Sequence, residues 1–266
     1  MKVRSPVTLI NGVALALVIL VSLLANATKL NGHTTGEVSA AFPTLITPAP
    51  YAFAIWGVIY VALLGFLTYS SKADNHTTIT LNRMTPWFVL SCLANIAWLW
   101  LWHHQQFALT VSAISILLIA LIMIYMQLPT CTEVNSLRER LFVTAPFSLY
   151  LGWVSVATLA NISVALIYTS PWDGFGIDQM LWAAVMAVII TKITLIIVIT
   201  RADFIFASVI AWGFVGVLVN HDSTTWLANV LAACVVAIVT ISLIKLVNVL
   251  MWDNSTSILS ITEREP

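Results

Sequence analysis

The chain has 266 residues, of which 60% are hydrophobic and 8% charged, and its formal net charge is zero. Soluble domains carry about a quarter of their residues as charges, so a water-soluble fold is excluded. The absence of a basic surplus removes nucleic acid as a partner. At roughly 20 apolar residues per crossing of about 30 Å of hydrocarbon, the length accommodates about eight spans and leaves almost no chain for a soluble domain.

Apolar runs follow in order at Val7–Ala27, Pro50–Tyr69, Pro86–Trp102, Ala108–Gln127, Leu141–Tyr168, Met180–Thr200, Phe204–Asn220 and Trp226–Leu250. They are helices, because lipid cannot satisfy exposed backbone groups and the runs lack the alternation of a membrane barrel. The predicted fold class is therefore all-α, a polytopic transmembrane bundle of about eight spans. The first run begins after Lys2 and Arg4 like a signal peptide, but it is full length and is read as a retained span.

Basic residues orient this bundle. With the N-terminus inside, Lys2, Arg4, Lys72, Arg83, Arg138, Arg140, Lys192, Arg201, Lys245 and Arg264 fall on the inner side and only Lys29 on the outer. An even number of spans follows, with both termini cytoplasmic in a bacterial-type plasma membrane. Lys192 and Lys245 lie inside apolar runs but within about two turns of the inner ends, where a lysine snorkels to the interface. A retinal-type Schiff base therefore finds no mid-span lysine, and Asp203, Asp222 and Asp253 sit at span ends, which disfavours a proton relay.

The outer connection from Lys29 to Ala49 is the longest between spans; it contains Asn31-Gly32, and Pro43, Pro48 and Pro50 fall in or just after it. Loops of such length commonly bind or cover a site. The segment Thr169–Asp178 is read as a turn broken by Pro171, Gly174 and Gly176. Cys92, Cys131 and Cys234 have no paired spacing, so neither a metal site nor a disulfide is expected.

The tryptophans carry the functional signal. Of eleven, Trp87, Trp102, Trp172, Trp182, Trp226 and Trp252 fall near predicted interfaces, where an amphipathic indole is expected. Trp56, Trp98, Trp100, Trp153 and Trp212 fall deeper, where each indole N–H needs a partner. The second span aligns Phe53, Trp56 and Tyr60 on one face; the third aligns Asn95, Trp98 and Trp102; the fifth aligns Tyr150, Trp153 and Asn161. Counting about 1.5 Å per residue from the span ends places Trp56, Asn95, Trp98 and Asn161 roughly 8–12 Å below the outer edge, with Tyr60 and Trp153 deeper. Such a pocket suits a flat, mostly apolar ligand, whereas the bland alternative is interhelical hydrogen bonding by the asparagines and bundle packing by the rings. His103 and His104 could ligate haem iron or sense pH, but adjacent helical residues diverge by about 100° and cannot share a ligand.

Three segments carry a resemblance: PAPYAFAIWGVIY at 48–60, LANIAWLW at 93–100 and YLGWVSVATLAN at 150–161. Together they resemble the TspO/MBR family, the tryptophan-rich sensory proteins also called translocator or peripheral benzodiazepine receptor proteins, over about residues 1–168. The resemblance implies a five-helix bundle, a pocket formed by Trp56, Tyr60, Asn95, Trp98, Tyr150, Trp153 and Asn161, and a lid in the preceding loop. Phe53 joins this ligand-binding set from the stripe on the second span. The resemblance also implies tetrapyrrole ligands such as protoporphyrin IX or haem, sterols in some members, sensing or transport, and a homodimer. The chain departs from that pattern in its three additional spans and in the register before Trp56, where Tyr51 stands. No basic residue follows Tyr168 before the next span, so the hydrophobic-Tyr-basic sterol pattern is missing and sterol is the least favoured ligand.

The domain reading is thus a five-helix bundle at 1–168, three further spans at 169–252 and a short cytoplasmic tail at 253–266. The expected partners are the bilayer and a small apolar ligand. No cofactor is required beyond a porphyrin or haem as ligand, no metal is expected, and no acid–base or metal constellation indicates an enzyme. The alternative is a secondary transporter of another small solute, with the last three spans as part of the path.

Overall fold

The computed structural model describes residues 6–71, 75–130, 136–169, 176–221 and 225–262, and among them the regular structure is entirely helical. The elements are α1 (Pro6–Ala27), a 3-10 turn at Leu30–Gly32, α2 (Thr35–Ala41), a 3-10 turn at Pro50–Ala54, α3 (Ile55–Ser70), α4 (Asn75–His103) and α5 (Phe107–Tyr125). There follow α6 (Leu137–Glu139), a π-helical turn at Arg140–Thr144, α7 (Ala145–Tyr168), α8 (Gln179–Arg201), α9 (Phe204–Asn220) and α10 (Trp226–Thr262).

Seven of the helical segments have the length and apolarity to cross a membrane, and α9, at 17 residues, is apolar but shorter. At about 1.5 Å per residue α9 reaches roughly 25 Å, slightly less than the hydrocarbon thickness. Eight apolar helices are therefore present where eight runs were read, seven of them of full spanning length. Their ends run beyond the apolar runs. The α4 helix starts at Asn75 rather than at Pro86 and carries that proline internally, and α10 continues to Thr262 through part of the expected tail. Hydropathy marks what lies in lipid; a helix continues into water wherever its backbone bonds persist.

The helices α1, α3, α7, α5 and α4 pack in that cyclic order, each touching the next, and close a five-helix ring. The helices α8, α9 and α10 pack mutually, and α9 lies along α7. Lipid gives no hydrophobic drive for this second contact, so it depends on close backbone approach through small residues. A Cβ built on Gly152 of α7 would lie 3.0 Å from Val209, and one on Gly213 of α9 would lie 2.8 Å from Val156. Each helix thus supplies one glycine notch and one valine to fill the other's. On the opposite side of the ring Asn11 of α1 donates to the Thr85 hydroxyl of α4 at 3.1 Å. Lys192 lies exposed on the surface of α8, consistent with a snorkelling side chain rather than a buried functional amine.

The two-glycine seam makes a testable contrast. Gly213→Ala forces a Cβ into a stiff β-branched neighbour, and is expected to cost about 1–3 kcal/mol. Gly57→Ala, with nothing within 4 Å of its new Cβ, is expected to be neutral or to gain up to about 1 kcal/mol from helix propensity. Thermal unfolding of both variants in one detergent measures the difference; equal melting temperatures would refute the seam.

Candidate functional site

The stripes read on the second, third and fifth spans converge. From α3, Trp56 stacks on Tyr60 of its own helix, with centroids 5.8 Å apart, and on Trp98 of α4 at 5.6 Å. Trp98 stacks in turn on Trp102 one turn further along α4, at 6.0 Å. From α7, Tyr150 meets the Trp56 ring edge-on at 5.8 Å, and Trp153 meets Phe53 edge-on at 5.9 Å. The column continues beyond Trp102 through Phe107 to Phe42 and Tyr168. Offset-stacked and edge-to-face pairs at these separations are the favoured aromatic geometries.

The asparagines join helices. Asn95 donates through Nδ2 to the Tyr150 hydroxyl at 2.6 Å, and the Trp98 indole donates to Asn161 Oδ1 at 2.9 Å. Asn161 spends its own amide on the Ala157 carbonyl at 2.8 Å. The glue reading of both asparagines is therefore correct in geometry. It leaves an imbalance: the indole nitrogens of Trp56 and Trp153 and Asn95 Oδ1 are buried with no hydrogen-bond partner. Each such group costs about 1–3 kcal/mol in desolvation.

Between these rings lies a cavity lined by Phe53, Trp56, Trp98, Trp102, Trp153 and Asn161, with the small residues Ala157 and Ala160 on its α7 wall. Ser39, Thr47 and Pro48 of the long connection close its top. Five of the eight anticipated binding residues face this space; Tyr60, Asn95 and Tyr150 form the layer beneath it. The cavity volume is about 20 Å³, room for about one water. The site is a closed one.

The connection that forms the roof is an ordered lid. Lys29 and Asn31 adopt left-handed backbone (φ 50° and 56°) and Gly32 follows at φ 87°, which turns the chain back over the bundle. Thr34 and Glu37 then form a reciprocal capping box that starts α2. His103, fully buried, contacts the Leu30 carbonyl through Nδ1 at 3.0 Å and the Thr35 hydroxyl through Nε2 at 3.2 Å. Asn31 donates to the His103 carbonyl at 2.9 Å, and the Trp102 indole donates to the Thr35 carbonyl at 3.1 Å. With both ring nitrogens engaged, His103 holds the lid and has no nitrogen for iron.

The far half of the lid is held by α9. Ala49 N–H donates to the Gly216 carbonyl at 2.8 Å, Asn220 donates to the Thr47 carbonyl at 3.2 Å, and the Trp212 indole donates to the Ala52 carbonyl at 3.4 Å. His221 Nε2 sits 2.9 Å from the Thr44 carbonyl. The aromatic Tyr51, in the segment where the register departs from the family pattern, packs edge-on against Trp212 at 5.3 Å rather than entering the cavity.

Depth along a span does not decide which tryptophans face the bundle. Trp102, read near an interface and on the stripe of the third span, is 3% exposed and lines the cavity. Trp100, read as deeper, is 53% exposed and stacks on His104. Trp212, also read as deeper, is 39% exposed and its indole serves the lid. The angular signal separates the first two: Trp98 and Trp102 are spaced i, i+4 on one face, while Trp100 points away from it.

A bundle of apolar helices with an aromatic cavity beneath an ordered lid defines a polytopic integral membrane protein. The chain belongs to the TSPO-like protein family, whose model matches residues 8–247. The match continues well past residue 168 and takes in α8, α9 and most of α10, so these helices fall within the family pattern and not outside it. Comparison with curated proteins and with solved structures returns no match.

The lid carries a pH signature. Hydrogen bonds from the Lys29 ammonium, at 2.8 Å, and from the Thr34 backbone pull the Glu37 carboxyl from its ordinary 4.5 to about 2. A depressed carboxyl stabilises the fold above its unfolded value and loses that contribution as pH falls toward the folded one. Hydrogen exchange of the α2 amides, corrected for intrinsic rates, should therefore accelerate as pH drops from about 4.5 to about 2. Glu37→Gln keeps an acceptor for the Thr34 N–H but removes the charge, so it should show the accelerated exchange already at pH 7; unchanged protection in that variant would refute the role of the Glu37 charge.

Proposed function

We propose that this protein binds a flat, largely apolar ligand of the tetrapyrrole class, a porphyrin or haem, between α3, α4 and α7, and does so for sensing or transport. The observation that carries this reading is the pair of unpaired indole donors, Trp56 and Trp153, in an otherwise aromatic cavity. A ring system with carboxylates on its rim would stack on the Trp56–Trp98 column and accept from those donors. Sites for ligands of that size occupy about 300–1,000 Å³, far more than the closed cavity, so binding includes lifting of the lid segment that carries Ser39, Thr47 and Pro48. The reading needs no catalytic step.

Lipid contact follows from the spanning helices. The placement in a bacterial-type plasma membrane, lid outward and both termini cytoplasmic, rests on the distribution of basic residues. A homodimer rests on the family resemblance alone, and the mass of the purified protein in detergent checks it.

Titration with protoporphyrin IX should quench tryptophan fluorescence saturably. Trp153→Phe keeps a ring and removes the donor; a hydrogen bond to a charged group is worth about 1.5–3 kcal/mol, so affinity should fall at least about tenfold. Trp56→Ala should weaken binding further. Quenching that is linear in ligand and indifferent to both substitutions would remove the proposal.

A second reading, a secondary transporter of another small solute with α8 to α10 as part of its path, is favoured by one observation: α9 bonds directly to the lid. Asn220→Leu with Trp212→Phe should then alter solute uptake by proteoliposomes while leaving porphyrin quenching within about twofold. Uptake unaffected by these changes would count against this second reading.

A further inference from the structure

A second cavity, of about 170 Å³, lies at the end of the bundle opposite the lid, between the start of α7, the link from α8 to α9, and α10. It is larger than the aromatic cavity, and its chemistry differs. Its lining combines Arg140, Thr144, Ser148 and Asp203 with apolar side chains that include Phe204, Ile205 and Val249.

Asp203 falls at a helix end, as its position in the sequence indicated, yet it is 1% exposed. Its Oδ2 accepts from the Tyr125 hydroxyl at 2.8 Å and the Ser148 hydroxyl at 2.6 Å, and its Oδ1 accepts from the Phe206 N–H at 3.0 Å, capping α9. These three neutral donors are its hydrogen-bond partners, and among the described residues the one ion pair within 4.0 Å is Lys29–Glu37. A buried carboxylate without an ion-pair partner is expensive, and a carboxylate offers about four acceptor positions, of which three are used.

The second polar group is Thr144, 3% exposed, whose hydroxyl has no partner. A helical threonine ordinarily bonds back to the carbonyl four residues earlier. Here the chain forms a π turn and Ala145 N–H takes the Arg140 carbonyl instead, leaving the Thr144 hydroxyl free at the cavity wall. Single π turns of this kind recur at functional sites.

We propose that this cavity binds a primary ammonium group, with Asp203 supplying the charge and Thr144 a second acceptor. The ammonium donates to the unused Asp203 lone pair and to the Thr144 hydroxyl oxygen, and its apolar stem fits against Phe204, Ile205 and Val249. A divalent metal fits poorly, because six or more oxygen ligands are wanted where the wall is mostly hydrocarbon. The ammonium can be that of a soluble amine or that of a phospholipid ethanolamine headgroup. In the latter case the phosphate meets the Arg140 guanidinium, which lies at the exposed rim.

The test uses the full chain, delipidated in detergent, with two probes. Native mass spectrometry compares retention of phosphatidylethanolamine with phosphatidylcholine of the same acyl chains, which has the charge but no N–H. Calorimetric titration with phosphoethanolamine asks whether a soluble amine suffices. Wild type should retain the ethanolamine lipid at least about tenfold better, or bind the soluble amine saturably, and the two arms tell the sources apart. Asp203→Asn, which keeps the α9 cap, should abolish the effect, and Thr144→Val should weaken it several-fold. If Asp203→Asn fails to fold, Thr144→Val decides alone, provided that its melting temperature is that of wild type. Equal retention of both lipids with no heat from the soluble amine overturns the proposal. So does a preference unchanged in the folded variants, or binding reproduced by sodium or calcium alone.

Discussion

Hydrocarbon accepts and donates no hydrogen bonds, and this constraint shapes the rest of the molecule. Each buried polar side chain must find its partner within the protein or remain unpaired at a cost of about 1–3 kcal/mol. Most do so locally: Thr158, Thr191 and Thr194 bond back to the carbonyl four residues earlier on their own helices. The few that reach across helices, Asn95 to Tyr150, Trp98 to Asn161 and the Asp203 cluster, define where the helices register against one another. Three of the unpaired ones, Trp56, Trp153 and Thr144, belong to residues that line the two cavities, whereas Asn11, Ser70, Asn95 and Ser242 line neither. In a solvent without water, an unsatisfied donor beside an empty space is a strong pointer to what that space receives.

The fold was legible because the same constraint forces apolar runs into helices. The pocket was legible at the level of helix faces: Trp56, Trp98 and Trp153 each belong to a stripe on its own helix whose members are spaced as a helix aligns them, and all three line the cavity. Depth along a helix was a poorer guide than angle. Trp100 and Trp102 differ by two residues, or about 200° of rotation, so one faces lipid while the other faces the cavity. Asp203 was invisible for a different reason: a residue that ends one helix and begins another looks interfacial in the sequence, and only tertiary packing of α7 and α5 around it makes it buried.

The last three helices illustrate what sequence periodicity cannot carry. Nothing in α9 distinguishes a lid-holding helix from any other apolar helix, because its contribution is made largely by backbone and by its final turn. Gly216 offers a carbonyl and, lacking a Cβ, lets Pro48 and Ala52 come within 3.2 Å of where one would be. Asn220 and His221 cover carbonyls of the lid just where α9 ends. The short length of α9 acquires a reason here: stopping early leaves its terminal polar groups level with the lid.

The same balance of partners indicates which part of the closed site can move. Separating α3, α4 and α7 would strip the Asn95–Tyr150 and Trp98–Asn161 bonds in a region where nothing replaces them. The lid's bonds to His103, Trp102, Gly216 and Asn220 lie toward the helix ends, nearer the surface than those between the helices. There an opened bond is exchanged for one to solvent, and its net worth falls to about 0.5–1.5 kcal/mol. On the proposed function, a site that grows from one water to a ring-sized space does so by releasing its roof on one or both sides, while the aromatic walls keep their register. Of the two sides, the α4 side is tied by four contacts around His103 and Thr35, three of them made by the buried side chains of His103 and Trp102. The α9 side is tied by four contacts as well, none of them to a side chain as deeply buried as His103, so on the proposed function release on this side would couple α8 to α10 to the opening of the pocket.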